Sequence, residues 1–330
     1  MKGSSGMDYQ EVVTLLETNY RLLGESNAKW LDKRVKYLLA RIFTGQGIKL
    51  PVADFDWLDI ALGRKSGVFT SLTKVTRHTL TGLMIASGKN SVEGIEELYF
   101  NKKILKDCGF KSSNSTYFAA YQLYLSDSKK REEIARRGQS IYQGIKLNHP
   151  IITSTNDYSS IISLAQAEQL AHLTEDELCQ LIDYYFESFQ EIGLKNRNSC
   201  LVAATLTTLM LGEMDEAFIT SLKYVITHFE ANKIKIKNVH LVPLISLTYL
   251  DKETQAIDLT ELFTFIEEIN QNVKLLFETD YKEALAISLY VESKSRALNK
   301  AHLTTLSVSL NQIIVQEQTM LANNATVLLS

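Results

Sequence analysis

Apolar positions along this chain recur at helical rather than strand spacing. Val35, Leu38, Leu39 and Ile42 fall three or four residues apart, and the segment closes at Gly45 or Gly47. The same reading predicts helices near 8–23, 27–44 and 52–62, then pairs near 70–87 and 91–107. Beyond them the chain repeats itself. Lys111-Ser-Ser-Asn114 leads into Tyr117, Phe118, Ala119 and Ala120; Thr153-Ser-Thr-Asn156 leads into Tyr158, Ile161 and Ile162. Lys195-Asn-Arg-Asn198 leads into Leu201 to Ala204, and Lys235-Ile-Lys-Asn238 into Leu241, Val242 and Leu244. The four asparagines stand 42, 42 and 40 residues apart, within the periods of helical repeat proteins.

Each asparagine precedes a short apolar helix, where its side-chain oxygen can accept a first-turn N–H; the Lys-x-x-Asn elements therefore read as structural caps. A second, amphipathic helix follows with its own start signal: Thr174-Glu-Asp-Glu177 has the form of a capping box, and Asp258–Glu261 and Asn90–Glu93 resemble it. Gly109, Asn148 or His149, Gly193, and Asn232 or Lys233 end these second helices. The expected fold is all-α: a right-handed α-α superhelix, or solenoid, of helix–turn–helix repeats of about 40 residues. Residues 1–6 read as a cloning remnant and 7–68 as an N-terminal helical cap. Residues 69–272 form the repeat array. Residues 273–330 are a C-terminal cap with helices near 280–297 and 303–329, the last closing the open end of the stack.

Composition supports helices. Three prolines in 330 residues suit long uninterrupted helices, since an interior proline costs about 3 kcal/mol. The apolar runs 201–211 and 241–250 are too short, and too rich in Thr and Ser, for a span of about 20 residues, so no membrane association is expected. No signal peptide is read after Met7. Cys108, Cys179 and Cys200 form no Cys-x-x-Cys pair, which argues against a disulfide framework or structural zinc and for a reducing cytoplasm.

Gly109-Phe110-Lys111 with Tyr117-Phe118-Ala119-Ala120, the stretch Ile141 to His149, and the later Gly193-Leu194-Lys195 together resemble a bacterial family known as domain of unknown function 4003. The resemblance spans nearly everything after Met7. It implies the helical fold and a bacterial, cytoplasmic setting, and it carries no activity. The unit also looks like a pentatricopeptide repeat, an RNA-reading helical module, but its period is longer and its charge balance differs.

Candidate chemistry is sparse. His78, His149, His172, His228, His240 and His302 form no i, i+4 metal pair around a glutamate, and no glycine run makes a phosphate-binding loop. In the run Asp54 to Asp59, Asp56 and Asp59 would share a helix face and could hold a hard cation, but Phe55, Trp57 and Leu58 mark the segment as an amphipathic helix with acids in its first turn. Glu96-Glu97, Glu132-Glu133 and Glu267-Glu268 diverge by about 100° on a helix and read as solvated. No cofactor, metal or catalytic residue is assigned. Charge is uneven: Lys129, Lys130, Arg131, Arg136, Arg137 and Lys146 share one helix, while residues 251–283 hold nine acidic and three basic side chains. The net charge of −3 argues against a nonspecific nucleic-acid binder. The expected function is an interaction scaffold for a protein or peptide, with Arg77, Tyr117, Tyr158, Asn198 and His240 on comparable early first-helix positions as candidate contacts. The alternatives are RNA binding through the basic helix at 129–146, or an enzyme whose site is assembled from dispersed residues.

Overall fold

A computed structural model describes residues 9–66, 72–275 and 278–295. Among them are fourteen α-helices and no strand. Seven hairpins follow in order: α1 (Tyr9–Glu25) with α2 (Lys33–Gly45), α3 (Val52–Ser66) with α4 (Lys74–Ala86), α5 (Val92–Asp107) with α6 (Asn114–Tyr124), and α7 (Arg131–Asn148) with α8 (Tyr158–Gln166). Then come α9 (Glu175–Glu191) with α10 (Arg197–Leu211), α11 (Glu216–Ala231) with α12 (Asn238–Thr254), and α13 (Leu259–Asn272) with α14 (Thr279–Lys294). The even-numbered helices begin every 39 to 44 residues, so the period read from four asparagines runs the length of the described chain.

Odd and even helices differ in how they are buried. On α11 the buried residues are Phe218, Leu222, Val225, Ile226 and Phe229, a single stripe at helical spacing. By contrast α6 is buried without a break from Ser115 to Leu123, α8 from Tyr158 to Ala165, and α12 from His240 to Leu250. A helix buried on every face belongs to an interior layer. The even helices form that layer and the odd ones surround it, around one continuous apolar core running from Val13 to Val291.

The hairpins stack in succession: α2, α4, α6, α8, α10, α12 and α14 each pack on the next. The expected open end is absent among the described residues, because α14 returns to pack on α2 and α13 on α1. Arg41 pairs with Glu292 at 2.8 Å, the Tyr281 hydroxyl donates to the Arg34 carbonyl at 2.9 Å, and Tyr9 stacks on Phe265. The stack is a closed ring. The helix expected near 303–329 lies outside the described residues.

Inner helices all run the same way. At their N-terminal ends Asn114 meets Thr73, Asn156 meets Ser115, Lys237 meets Asp280 and Tyr281 meets Arg34; at their C-terminal ends Arg41 meets Glu292 and Gln169 reaches the Leu209 carbonyl. Several inner Thr residues bond within their own helix: Thr79, Thr81, Thr205, Thr207 and Thr248 each donate to the carbonyl four residues earlier at 2.9 Å.

The caps differ from expectation. Ser113, Ser154 and Asn196 take the capping positions at these three helix starts, and at α12 the Lys237 position does so, with the His240 ring accepting its N–H. Asn114, Asn156, Asn198 and Asn238 sit one or two residues further on. Asn114 instead accepts the Thr73 N–H at 2.9 Å, and Asn156 accepts the Ser115 hydroxyl at 3.1 Å. These asparagines join one hairpin to the hairpin before it. Thr174 and Glu177 do form a capping box, whereas α5 is capped by Ser91 and the Glu261 side chain turns away to Lys294 and Tyr290. Gly109 and Gly193 end their helices with φ of 98°, a conformation that only glycine adopts without strain.

Candidate functional site

The five candidate contacts lie on five different inner helices, all near the N-terminal end of the ring. They do not share one cleft; Arg77 and Tyr117 join the two helices of one hairpin, and Tyr158 and His240 join one hairpin to another. Arg77 makes a two-pronged pair with Asp59 of α3, at 2.6 and 3.2 Å, and Asp59 is 3% exposed. The next residue, His78, stands with Nε2 3.6 Å from the same carboxylate. Tyr117 is buried, its ring edge-on to Tyr99 and its face 3.7 Å from the Lys102 ammonium. Tyr158 is wedged between Phe110 and Tyr142 and accepts the Lys111 N–H at 3.2 Å; burial is the main cause of its raised hydroxyl pKa. His240 is wholly buried. Its Nδ1 accepts the Lys237 N–H at 3.1 Å, so Nε2 carries the proton given to the Asp280 carbonyl at 2.9 Å, with the Glu283 carboxylate 3.3 Å away. Asn198 alone is exposed.

Sequence reasoning passed over the acids that meet these groups. Asp59 was grouped with Asp54 and Asp56 as a first-turn acid, yet Asp56 accepts the Asn27 N–H while Asp59 faces Arg77. Asp157 is buried at the start of α8, where loss of water raises its carboxyl to about 6 against the opposing pull of the Ser154 N–H. Only the fold brings Asp59 to Arg77 from 18 residues away, whereas Asp157 meets Ser154 within its own turn. The arginines of the basic stretch have partners: Arg131 pairs with Glu97, Arg136 with the exposed Glu132, and Arg137 donates to the carbonyls of Leu170 and Leu173, while Lys129 and Lys130 are exposed. Among the described residues no three His, Cys, Asp or Glu side chains gather as a metal site, and no helix is long and apolar enough to cross a membrane.

What the ring does display is charge sorted by end. Every odd helix opens with an acid in its first turn, at the end where the inner helices finish. Of the inner helices only α14 has one, Asp280. The loops entering the inner helices instead carry Lys29, Lys111, Lys195, Lys233 and Lys235, all exposed. In these positions one end of the ring is lysine-rich, the basic end, and the other acid-rich, the acidic end, although Lys49, Lys129 and Lys130 are also exposed at the acidic end and Asp32, Asp107 and Glu191 at the basic one.

The fold and these ends define an all-helical ring of hairpins whose buried polar groups serve its own cohesion. The chain belongs to the family described as "Protein of unknown function (DUF4003)", whose model matches residues 19–319. It is similar to "Uncharacterized protein YeaA" of Bacillus subtilis (strain 168), 21% identical over 230 residues, which is 68% of this chain and 67% of that protein. No solved structure matches.

Proposed function

We propose that the chain is an interaction scaffold: helix–turn–helix repeats of about 40 residues wound as a right-handed α-α superhelix and closed into a ring that receives a protein or peptide partner in the bacterial cytoplasm. The observation that carries this reading is the division of labour at the N-terminal end of the inner helices. There Arg77, Tyr117, Tyr158 and His240 hold the helices in place, while Asn198 and the neighbouring lysines stand exposed as a lysine-rich surface. Such a surface steers a complementary partner and fixes its register more than it adds raw affinity. Of the basic residues at 129–146 on which an RNA reading depends, the three arginines meet Glu97, Glu132 and loop carbonyls while Lys129 and Lys130 are exposed, and the net charge of −3 favours the protein reading.

The test is affinity capture from native lysate with the triple variant Lys195→Ala, Asn198→Ala, Lys235→Ala. Partner recovery is expected to fall at least about tenfold while stability stays within about 0.5 kcal/mol per site, the usual range for exposed positions. Undiminished recovery would overturn the assignment of this end. The buried candidates are unsuitable for that experiment, since replacing Tyr158 or His240 removes contacts between hairpins.

A further inference from the structure

We propose that the partner received at the basic end is the acidic end of a second copy, so that rings stack head to tail. This rests on the scaffold reading and names its partner. The geometry is most explicit on two consecutive hairpins, α9–α10 and α11–α12. At their basic end Lys195, Arg197, Lys233 and Lys235 are exposed and outnumber the exposed Glu191 and Glu230; at their opposite end Asp176, Glu177, Glu213 and Glu216 are exposed. Because the same two hairpins carry both sets, sliding one ring along the ring axis sets the acids of one copy over the lysines of the next.

Helix dipoles account for part of this pattern, since acids suit the first turn of any helix. They do not account for lysines in the loops at the other end, nor for the want of first-turn acids on six of the seven inner helices. They also leave the apolar side chains among these charges unexplained. Met214, 58% exposed, sits between Glu213 and Asp215 at the acidic end; Trp30, 88% exposed, follows Lys29 at the basic end, and Ile151 is 94% exposed in another loop there. Met214 between Glu213 and Asp215, and Trp30 beside Lys29, are the makings of an interface: the apolar groups supply burial and the charges supply orientation. The contact joins two different surfaces, so it leaves a free basic end and a free acidic end at every stage of growth.

Sedimentation at a series of protein and salt concentrations tests the idea. At about 20 mM salt the weight-average mass is expected to rise with concentration to at least about twice the 37.3 kDa monomer, and to return to the monomer at about 0.5 M salt, where screening lengths fall to a few ångströms. Two charge-reversed variants, each checked for native helicity by circular dichroism, separate the ends. Lys195→Glu, Lys233→Glu, Lys235→Glu gives a ring acidic at both ends; Asp176→Lys, Glu213→Lys, Glu216→Lys gives one basic at both. Each alone is expected to stay monomeric, and an equimolar mixture is expected to associate.

A wild-type chain that remains at 37.3 kDa throughout overturns the proposal, as does association that survives either reversal or a mixture that stays monomeric. Retention of single-stranded RNA by a ring that is monomeric under every condition overturns it too. If the ring is monomeric yet captures another protein through its lysines, the scaffold reading stands without the second copy. If it captures nothing, both fall.

Discussion

The joint between α6 and α8 and the joint between α14 and α2 do the same geometric task with different chemistry. At the first, the chain itself supplies proximity, because α7 links the two helices. The contacts there are neutral: Phe110 and Tyr142 against Tyr158, the Ser115 hydroxyl on Asn156, the Lys111 amide on the Tyr158 hydroxyl. At the second, helices from opposite ends of the sequence meet with no connection between them, and the contacts are charged and directional. Arg41 is 1% exposed and reaches Glu292; Arg34 faces Glu278 and receives the Tyr281 hydroxyl on its carbonyl. Gly45 leaves the space that the carboxylate needs, since a Cβ there would lie 2.3 Å from Glu292 Oε2. Apolar packing brings surfaces together without fixing register, whereas a buried ion pair tolerates one alignment. The ring uses such a pair where chain connectivity cannot set the alignment.

The largest effect is therefore expected at the closing joint. Removing one partner of a buried pair strands the other charge, so Arg41→Ala should cost about 3–5 kcal/mol in urea unfolding, and hydrogen exchange should rise first in α14 and α2. The double variant Arg41→Met, Glu292→Met should recover most of that loss, because no charge is left behind. At the neutral joint, Ile162→Val should cost only about 1 kcal/mol. A loss below about 1 kcal/mol for Arg41→Ala would erase the contrast between the two joints.

Asp157 provides a second, smaller contrast, because at the neutral joint this buried acid is met by the Ser154 amide rather than by a cation. Its carboxyl is raised from 3.8 to about 6 in the folded chain. A folded pKa above the unfolded one means the folded state holds the proton more tightly. The stability this contributes is complete below about pH 4 and is lost as pH rises through about 6, by about 3 kcal/mol at most. Asp157→Asn keeps an acceptor for the Ser154 N–H and cannot ionise. It should match the parent near pH 4 and exceed it near pH 8, and a pH-independent difference would refute the assignment.

Helix positions were legible because burial writes a period into the sequence: α9 and α11 show their stripes plainly, and Gly109 and Gly193 mark turns that need a positive φ. The succession of hairpins was legible from the recurring entry motifs. Closure was not, because nothing in the sequence near Arg41 or Glu292 signals a partner 251 residues away. The candidate site was legible only as a set of equivalent positions. Tyr158 and His240 do share a level of the ring, but single-sequence reading cannot tell an exposed first-turn residue from one buried against the preceding loop. Segment-by-segment charge counting misses the ends for a related reason: the arginines of α7 meet acids and carbonyls in space, whereas the basic end is assembled from lysines in separate loops.

The smallest effect concerns the asparagines first read as caps. If Asn156 capped a helix, its loss would be felt through the first turn of its own hairpin; as placed, it is felt through Ser115 of the hairpin before. Asn156→Ala should cost about 1 kcal/mol, the usual worth of one intramolecular hydrogen bond. The single cost does not distinguish the two roles, but a double-mutant cycle does. Combined with Ser115→Ala, the losses should be less than additive by about 0.5 kcal/mol or more, because both changes delete one bond. Thr73 offers no such cycle, since it meets Asn114 through its backbone N–H. Strict additivity of Asn156→Ala with Ser115→Ala would show that the link between hairpins adds nothing beyond packing, and the asparagine period would then mark helix starts alone.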